Sequence, residues 1–529
     1  MNFKGYFSIN FLKRNWILLL ILSIAAALRL YRIDQYMVFL GDQGRDMLIT
    51  YNILHGHLTL LGPTSSVGGF FLGPIYYYLV APFLLLSGFN PAGPSAMVAL
   101  FSVATVFLIY LIGKRIFNQK VGLISAFLYA ISPTVIINSR SSWNPNVMPF
   151  FTIITLYSLF LGLTKKNKWP ILLCGFLYGI TMQLHYIETF LSVIIFSYVL
   201  LFHFFQNRKG AIKNSIVSYG QILLGFLIGF SPFILFEIRH RFTNSLNILN
   251  FIFHSKDTGA GAQILTNIWK VFLRLFGGIT FNYPKDVDLF KFDHGFLQVW
   301  LVFSIVVSLA AITLFVKKIY QDYKEKNNVF LERLLILLWL FFGIFLFAFY
   351  KKPVYDYYLE FIDPLPFLLI GYLILTLFTW KNKFYMVKIL SIAIFAVAVF
   401  FSAYLSPILI PPNQQLNEAR RISNFVLDKT DGRPFNFALM STGNSDHAFR
   451  FFFKLAGRDP QVIEFPGIDP QRKTVTSQLL IICDRSIPCG PLGYSLWEIA
   501  GFGRAQISGH WKEPLVDVFR LTHYSGKEK

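Results

Sequence analysis

Charge is scarce in this chain. Only 14% of its 529 residues are Asp, Glu, Lys or Arg, with 27 acidic against 48 basic residues. Soluble domains carry about 25% charged residues, so a water-facing surface is excluded for most of the length. Cysteine is nearly absent as well, three residues in all, which excludes a disulfide scaffold. Cys174 stands in an apolar run and reads as packing, and only Cys483 and Cys489 are able to pair. There is no G-x-x-x-x-G-K-[ST] phosphate loop, H-E-x-x-H, G-x-S-x-G or paired C-x-x-C. An ATPase, a zinc protease and a common serine hydrolase therefore lose their usual sequence support. The run "GAGAQ" at 259–263 lacks the strand and helix of a nucleotide fingerprint and reads as a flexible loop. No internal repeat stands out, which counts against inverted-repeat transporters.

What is present is apolar: 55% hydrophobic residues, 59 of them Phe, the profile of a polytopic membrane protein. The formal charge of +21 is not that of a nucleic-acid binder, because its basic residues fall in short loops between apolar runs and report topology. The N-terminus has a basic flank before an apolar stretch, but no small-residue cleavage site follows, so it reads as an uncleaved first span.

Runs long enough to cross a bilayer number about eleven. They lie near 16–33, 94–113, 121–138, 146–164, 169–185, 187–206, 215–236, 296–316, 331–350, 361–380 and 385–406. The run 73–88 is short, starts at Gly-Pro and carries Pro82; letting it cross would invert every later loop, so it is laid in the outer interface. The inner segments are then all basic: Lys4, Lys13 and Arg14; Lys114, Arg115 and Lys120; Lys165, Lys166 and Lys168; Arg208, Lys209 and Lys213; Lys317, Lys318, Lys324 and Lys326; Lys381, Lys383 and Lys388. Before position 411 only Asp322, Glu325 and Glu332 fall inside among the acidic residues, whereas Asp257, Asp286, Asp288 and Asp293 are among those outside, which puts the chemistry on the outer face.

The expected architecture is an all-α membrane domain, 1–410, followed by a small extracytoplasmic α/β domain, 411–529. The tail reads as alternating strand and helix through "FNFALMS", "SDHAFRFFFKLAG", "QLLIICD" and "VDVFRLTHY". Two outer loops stand out, 34–93 with an acidic motif and interfacial helices, and 239–294 with the amphipathic "ILTNIWKVFLRLFGG".

The acidic motif is "GDQGRD", residues 41–46. On a helix Asp42 and Asp46 share one face with Arg45 on the neighbouring row. Asp42 alone is equally readable as a helix cap. Other outer segments add Arg140, Trp143, Asn144 and Asn146; His185 and Glu188 in "LHYIET"; Glu237, Arg239, His240 and Arg241 in "FEIRHRF"; and Lys351, Lys352, Tyr355 and Asp356 in "YKKPVYDYYLEFIDP". Cations beside carboxylates and tyrosines on one rim suit an anionic lipid head group with an acid or base nearby. The spans themselves read as almost free of charge, unlike a transport path.

An acidic motif directly after the first span, followed by a short outer helix at 73–88, resembles the GT-C membrane glycosyltransferases, in particular the branch of bacterial protein O-mannosyltransferases and lipid A aminoarabinose transferases. The resemblance covers nearly the whole membrane part and is architectural only in the tail. It implies a polyprenyl-phosphate-linked sugar as donor, the bilayer as its medium, and an acceptor hydroxyl of unspecified identity attacking with inversion in the cytoplasmic membrane. Asp42 matches the family's base. Gln43 stands where the family usually has Glu, with Asp46 placed to compensate. Arg45 matches a carrier-phosphate arginine, and "KP.Y" points to Lys352 and Tyr355 with Lys351 close by. Arg239 and Arg241 are further phosphate candidates, and Arg140, Asn144, His185 and Glu188 complete the rim. No cofactor is required, and a role for a divalent ion is open. The alternatives are a transporter or flippase, or a polymerase or ligase, of lipid-linked glycans.

Overall fold

The computed structural model describes residues 9–65, 69–165, 167–254, 263–282, 295–327, 329–380 and 385–526. Lys4, Lys166, Lys381, Lys383, Asp257, Asp286, Asp288, Asp293 and most of the "GAGAQ" run lie outside them. By packing, the chain forms two compact units. One comprises residues 1–31, 58–80 and 95–411; the other comprises 32–57, 81–94 and 412–529. The acidic motif thus belongs to the same unit as the C-terminal tail.

The first unit is a multi-pass membrane bundle. Among its described residues seven helices are long and apolar enough to cross a bilayer, or eight when the bent pair Gln119–Ile131 and Pro133–Ser139 is one span. The runs read as spans at 16–33, 169–185 and 361–380 form the shorter apolar helices Asn15–Leu30, Trp169–Leu184 and Pro364–Phe378, so the sequence count of about eleven is not confirmed by length.

Hydrophobicity does not bring helices together inside lipid, so close packing has to. Helices Trp169–Leu184 and Ala211–Gly229 supply it with two small-residue pairs, Gly175 with Gly179 and Gly225 with Gly229. A Cβ on Gly175 would fall 2.0 Å from the Ile222 carbonyl oxygen, and one on Gly225 would fall 2.1 Å from that of Leu172. The "GFLYG" and "GFLIG" runs are therefore a helix interface, a signal the sequence carried and the span count did not use.

The bent pair shows how a broken span satisfies its backbone. Pro133 cannot continue the helix before it, and Ser132 is extended (φ −62°, ψ 121°), so the pair bends by 64°. A carbonyl freed in a bilayer must find a donor. Arg29 provides one: Nη1 donates to Ala130 O at 2.8 Å and to Ala25 O at 3.2 Å, while Nε donates to Ser102 Oγ at 2.8 Å. Arg140 closes the other side, its Nε and Nη2 both donating to Leu28 O at the end of the first apolar helix. The same region buries two carboxylates. Glu360 accepts from Asn138 Nδ2 at 2.9 Å, and Tyr129 OH donates to Asp363 at 3.4 Å. These side chains line a small cavity.

This cluster corrects the expectation of nearly charge-free spans. Arg29 is fully buried in the first apolar helix, and Glu188 is fully buried in the helical stretch Tyr186–Gln206. Both arginines are spent on helix-end carbonyls rather than strung along a path. Arg29→Met should lower the stability of the purified protein by about 1–3 kcal/mol, the usual cost of leaving buried acceptors without their donor. Arg29→Lys should recover only part of it, because three donors on a flexible stem do not replace a planar fork.

In the second unit the tail folds around a mixed four-stranded sheet of order β1-β2-β4-β3. β1 is Asn436–Met440, β2 Gln478–Asp484, β3 Ala505–Lys512 and β4 Val516–His523. β2 is central and almost wholly buried, parallel to β1 and antiparallel to β4, which explains its unbroken apolar run "QLLIIC". β3 escaped the sequence reading because it is a half-exposed edge strand, interrupted by a bulge near Ser508. Helix Gln415–Asp428 buries Leu416, Ala419, Ile422 and Val426 at helical spacing, and helix His447–Leu455 buries Phe449, Phe451, Phe452 and Phe453. Cys483, near the end of β2, forms a disulfide with Cys489.

Candidate active site

The acidic motif forms the first turn of helix Gly41–Leu54. Asp42 does not cap it. Gln43 Oε1 accepts the Leu40 N–H at 3.0 Å, and Asn444 Oδ1 accepts the Gly41 N–H at 2.9 Å, so two of the orphan donors at this helix start are met without the carboxylate. Gln43 thereby has a structural role that its amide fills as well as a glutamate would.

Released from capping, Asp42 is half-exposed and pairs with Arg45 Nη1 at 2.9 Å. Asp46 is fully buried and holds the same guanidinium through Nε (3.1 Å) and Nη2 (2.8 Å). The two carboxylates, equivalent in the sequence, are therefore different. Asp46 is an anchor that fixes the fork of Arg45, and Asp42 is the one facing solvent.

The two glycines of the motif are explained by what lies against them. A Cβ on Gly41 would stand 2.0 Å from Ser445 Oγ, and one on Gly44 would stand 2.2 Å from the backbone nitrogen of Ala448. The start of helix His447–Leu455 is seated directly on the motif, and Phe39 packs against Phe451 and Phe452 beside it.

The first unit holds the other candidates. His185 lies among Tyr357 and Tyr358, with ring centroids 5.7 and 5.1 Å away, and Trp143 packs on Tyr357 at 4.5 Å. Tyr355 stacks nearly parallel to Tyr357 and remains 52% exposed. Burial, then Tyr358 and the neighbouring tyrosines, push the Tyr357 hydroxyl well above its ordinary range, so it stays neutral. Lys351 and Lys352 are exposed at the start of this loop. Arg274 braces it, donating to Val354 O and lying 3.8 Å from Asp356. Sequence reasoning passed over Arg274; a lone arginine amid the apolar "VFLRLFGG" was the available signal.

Other rim residues are placed structurally. Asn144 Nδ2 donates to Leu184 O at 2.6 Å, His185 Nδ1 accepts from Ile187 N at 3.3 Å, and Glu188 accepts from Thr152 Oγ1 at 3.0 Å. Arg239 and Arg241 are exposed, beside a buried Glu237 whose carboxylate accepts the Ser245 N–H. Arg241 (φ 56°) and Phe242 (φ 59°) turn the chain between helices there. Among the described residues no group of three or more His, Cys, Asp or Glu is arranged to hold a metal ion.

The fold has parallels of known structure. ArnT from Cupriavidus metallidurans bound to undecaprenyl phosphate superposes with a TM-score of 0.61 over 96% of this chain and 98% of its own, at 10% identity. The chain has the GT-C fold. The archaeal oligosaccharyltransferase AglB from Archaeoglobus fulgidus, in complex with an inhibitory peptide and a dolichol-phosphate, shares this GT-C fold at a TM-score of 0.52, 14% identity, 89% of this chain and 70% of its own. A family model described as dolichyl-phosphate-mannose-protein mannosyltransferase matches residues 72–236, part of the GT-C bundle. No curated protein matches in sequence.

Proposed function

We propose that the chain is an integral-membrane glycosyltransferase of the cytoplasmic membrane, moving a sugar from a polyprenyl-phosphate carrier to an acceptor hydroxyl on the outer face. The observation that carries this reading is a GT-C fold along nearly the whole chain, shared with proteins solved with undecaprenyl phosphate and dolichol-phosphate. The mannosyltransferase model over 72–236 supports the reaction class.

In the proposed reaction Asp42 takes the proton of the acceptor hydroxyl as its oxygen bonds the anomeric carbon. The bond from that carbon to the carrier phosphate breaks, its electron pair leaves on the phosphate, and the configuration inverts. Arg45 meets the growing phosphate charge; Lys351, Lys352 and Tyr355 keep the phosphate role that the family resemblance implies for them. Because Asp46 retains one side of the guanidinium, Arg45 can leave Asp42 for the phosphate without losing its orientation. The exchange also leaves Asp42 free to accept a proton.

Native membranes containing the protein, supplied with undecaprenyl-phosphate-linked hexoses, should release free undecaprenyl phosphate with the sugar transferred to endogenous acceptor. Movement of intact carrier across the bilayer without its release would favour a flippase, and linkage of whole glycans would favour a polymerase or ligase.

A further inference from the structure

We propose that Asn444, Ser445 and His447, in the tail, are positioning residues of the transfer site, setting the place and orientation of Asp42 and Arg45. This rests on the glycosyltransferase reading above. The residues that approach the acidic motif come from a part of the sequence about four hundred positions away, as the Gly41 to Asn444 separation of 403 shows. Asn444 Oδ1 takes the Gly41 N–H and its own neighbour's, Ser445 N, each at 2.9 Å. One amide oxygen thus locks the first residue of the motif helix to the tail, directly before Asp42.

The next contact is through Ser445, whose hydroxyl occupies the space that a side chain on Gly41 would need. That hydroxyl lies 2.7 Å from His447 Nδ1 and fixes the imidazole. The charged groups around this ring come from both helices: Asp42 and Arg45 from the motif, Asp446 and Arg450 from its own turn. Arg450 is held by Asp446 at 2.5 Å, as Arg45 is held by Asp42 and Asp46. Burial, the largest influence, lowers the His447 pKa, and Arg45 and Arg450 add to that while the two aspartates oppose it. A neutral ring at this position adds no third cation to the field of Arg45 and Arg450.

Catalytic groups tolerate little displacement: a shift of about 1 Å can cost on the order of a hundredfold in rate. Full-length Asn444→Ala, Asn444→Asp and His447→Ala would be compared with wild type and Asp42→Asn in native membranes, using undecaprenyl-phosphate-linked hexose as donor and release of undecaprenyl phosphate as readout. We expect Asn444→Ala and His447→Ala to lower kcat about tenfold or more with the melting temperature of the purified protein unchanged. Asn444→Asp, which restores an acceptor for the Gly41 N–H, should return most of the activity. An Asn444→Ala rate within twofold of wild type, or a loss that Asn444→Asp does not relieve, overturns the proposal. If wild type itself releases no undecaprenyl phosphate, the glycosyltransferase reading fails; if wild type is active and Asp42→Asn is not, only the positioning role fails.

Discussion

Asp42→Asn should reduce sugar transfer by about 10²- to 10⁴-fold, the range associated with loss of a general base, while the protein inserts, folds and binds undecaprenyl phosphate as before. The change is isosteric and leaves no buried group without a partner, because Asp42 is half-exposed and caps nothing. Gln43 and Asn444 satisfy the helix start, and Arg45 keeps its anchor on Asp46. Activity and structure are thus separable at this residue, which is seldom so for a carboxylate near a helix terminus. Retention of more than a tenth of wild-type transfer would remove Asp42 from the base role.

Gly44→Ala should be nearly as damaging, for a purely steric reason. In an exposed helix interior the exchange stabilises by about 1 kcal/mol. Here the new methyl would lie 2.2 Å from a backbone nitrogen and 2.4 Å from the carbonyl carbon of His447, neither able to rotate away. Overpacking of this kind costs about 1–3 kcal/mol or more, so the sign reverses and the motif helix is lifted from its seat. Protease accessibility of the 441–448 loop should rise, and transfer should fall towards the Asp42→Asn level. Gly41→Ala provides the contrast. Its closest obstacle is the Ser445 hydroxyl, so adding Ser445→Gly should relieve it in part, whereas no side-chain deletion relieves Gly44→Ala. Unaltered proteolysis and activity in Gly44→Ala would show that the two helices are not tightly seated.

Much of this was legible beforehand. Apolar runs and basic loops disclosed the bundle, because lipid imposes length and the cytoplasmic side collects Lys and Arg. The acidic motif after the first span pointed to Asp42 and Arg45. What stayed hidden were relations between distant segments. Nothing local distinguishes Asp42 from Asp46; the difference arises because one is buried under Arg45. The glycines of "GDQGRD" carry no reason in the sequence itself; it lies in Ser445 and Ala448, which stand against them. Gln43 looked like a defect in a two-acid motif until its bond to Leu40 appeared. Arg29 went unremarked because it sits at the end of an apolar run, where snorkelling to the interface is the ordinary expectation; one of its carbonyl partners, Ala130 O, comes from a different span, Gln119–Ile131.

The bond from Gly41 to Asn444 also has a meaning in time. A chain made from its N-terminus exposes the motif helix early, when the residue that completes its first turn is still 403 positions from being made. Membrane helices can be inserted one after another during synthesis, but this turn can be finished only after residue 444 has been translated. A product stalled before position 444 would carry Asp42 and Arg45 and still lack the acceptor that closes the start of their helix.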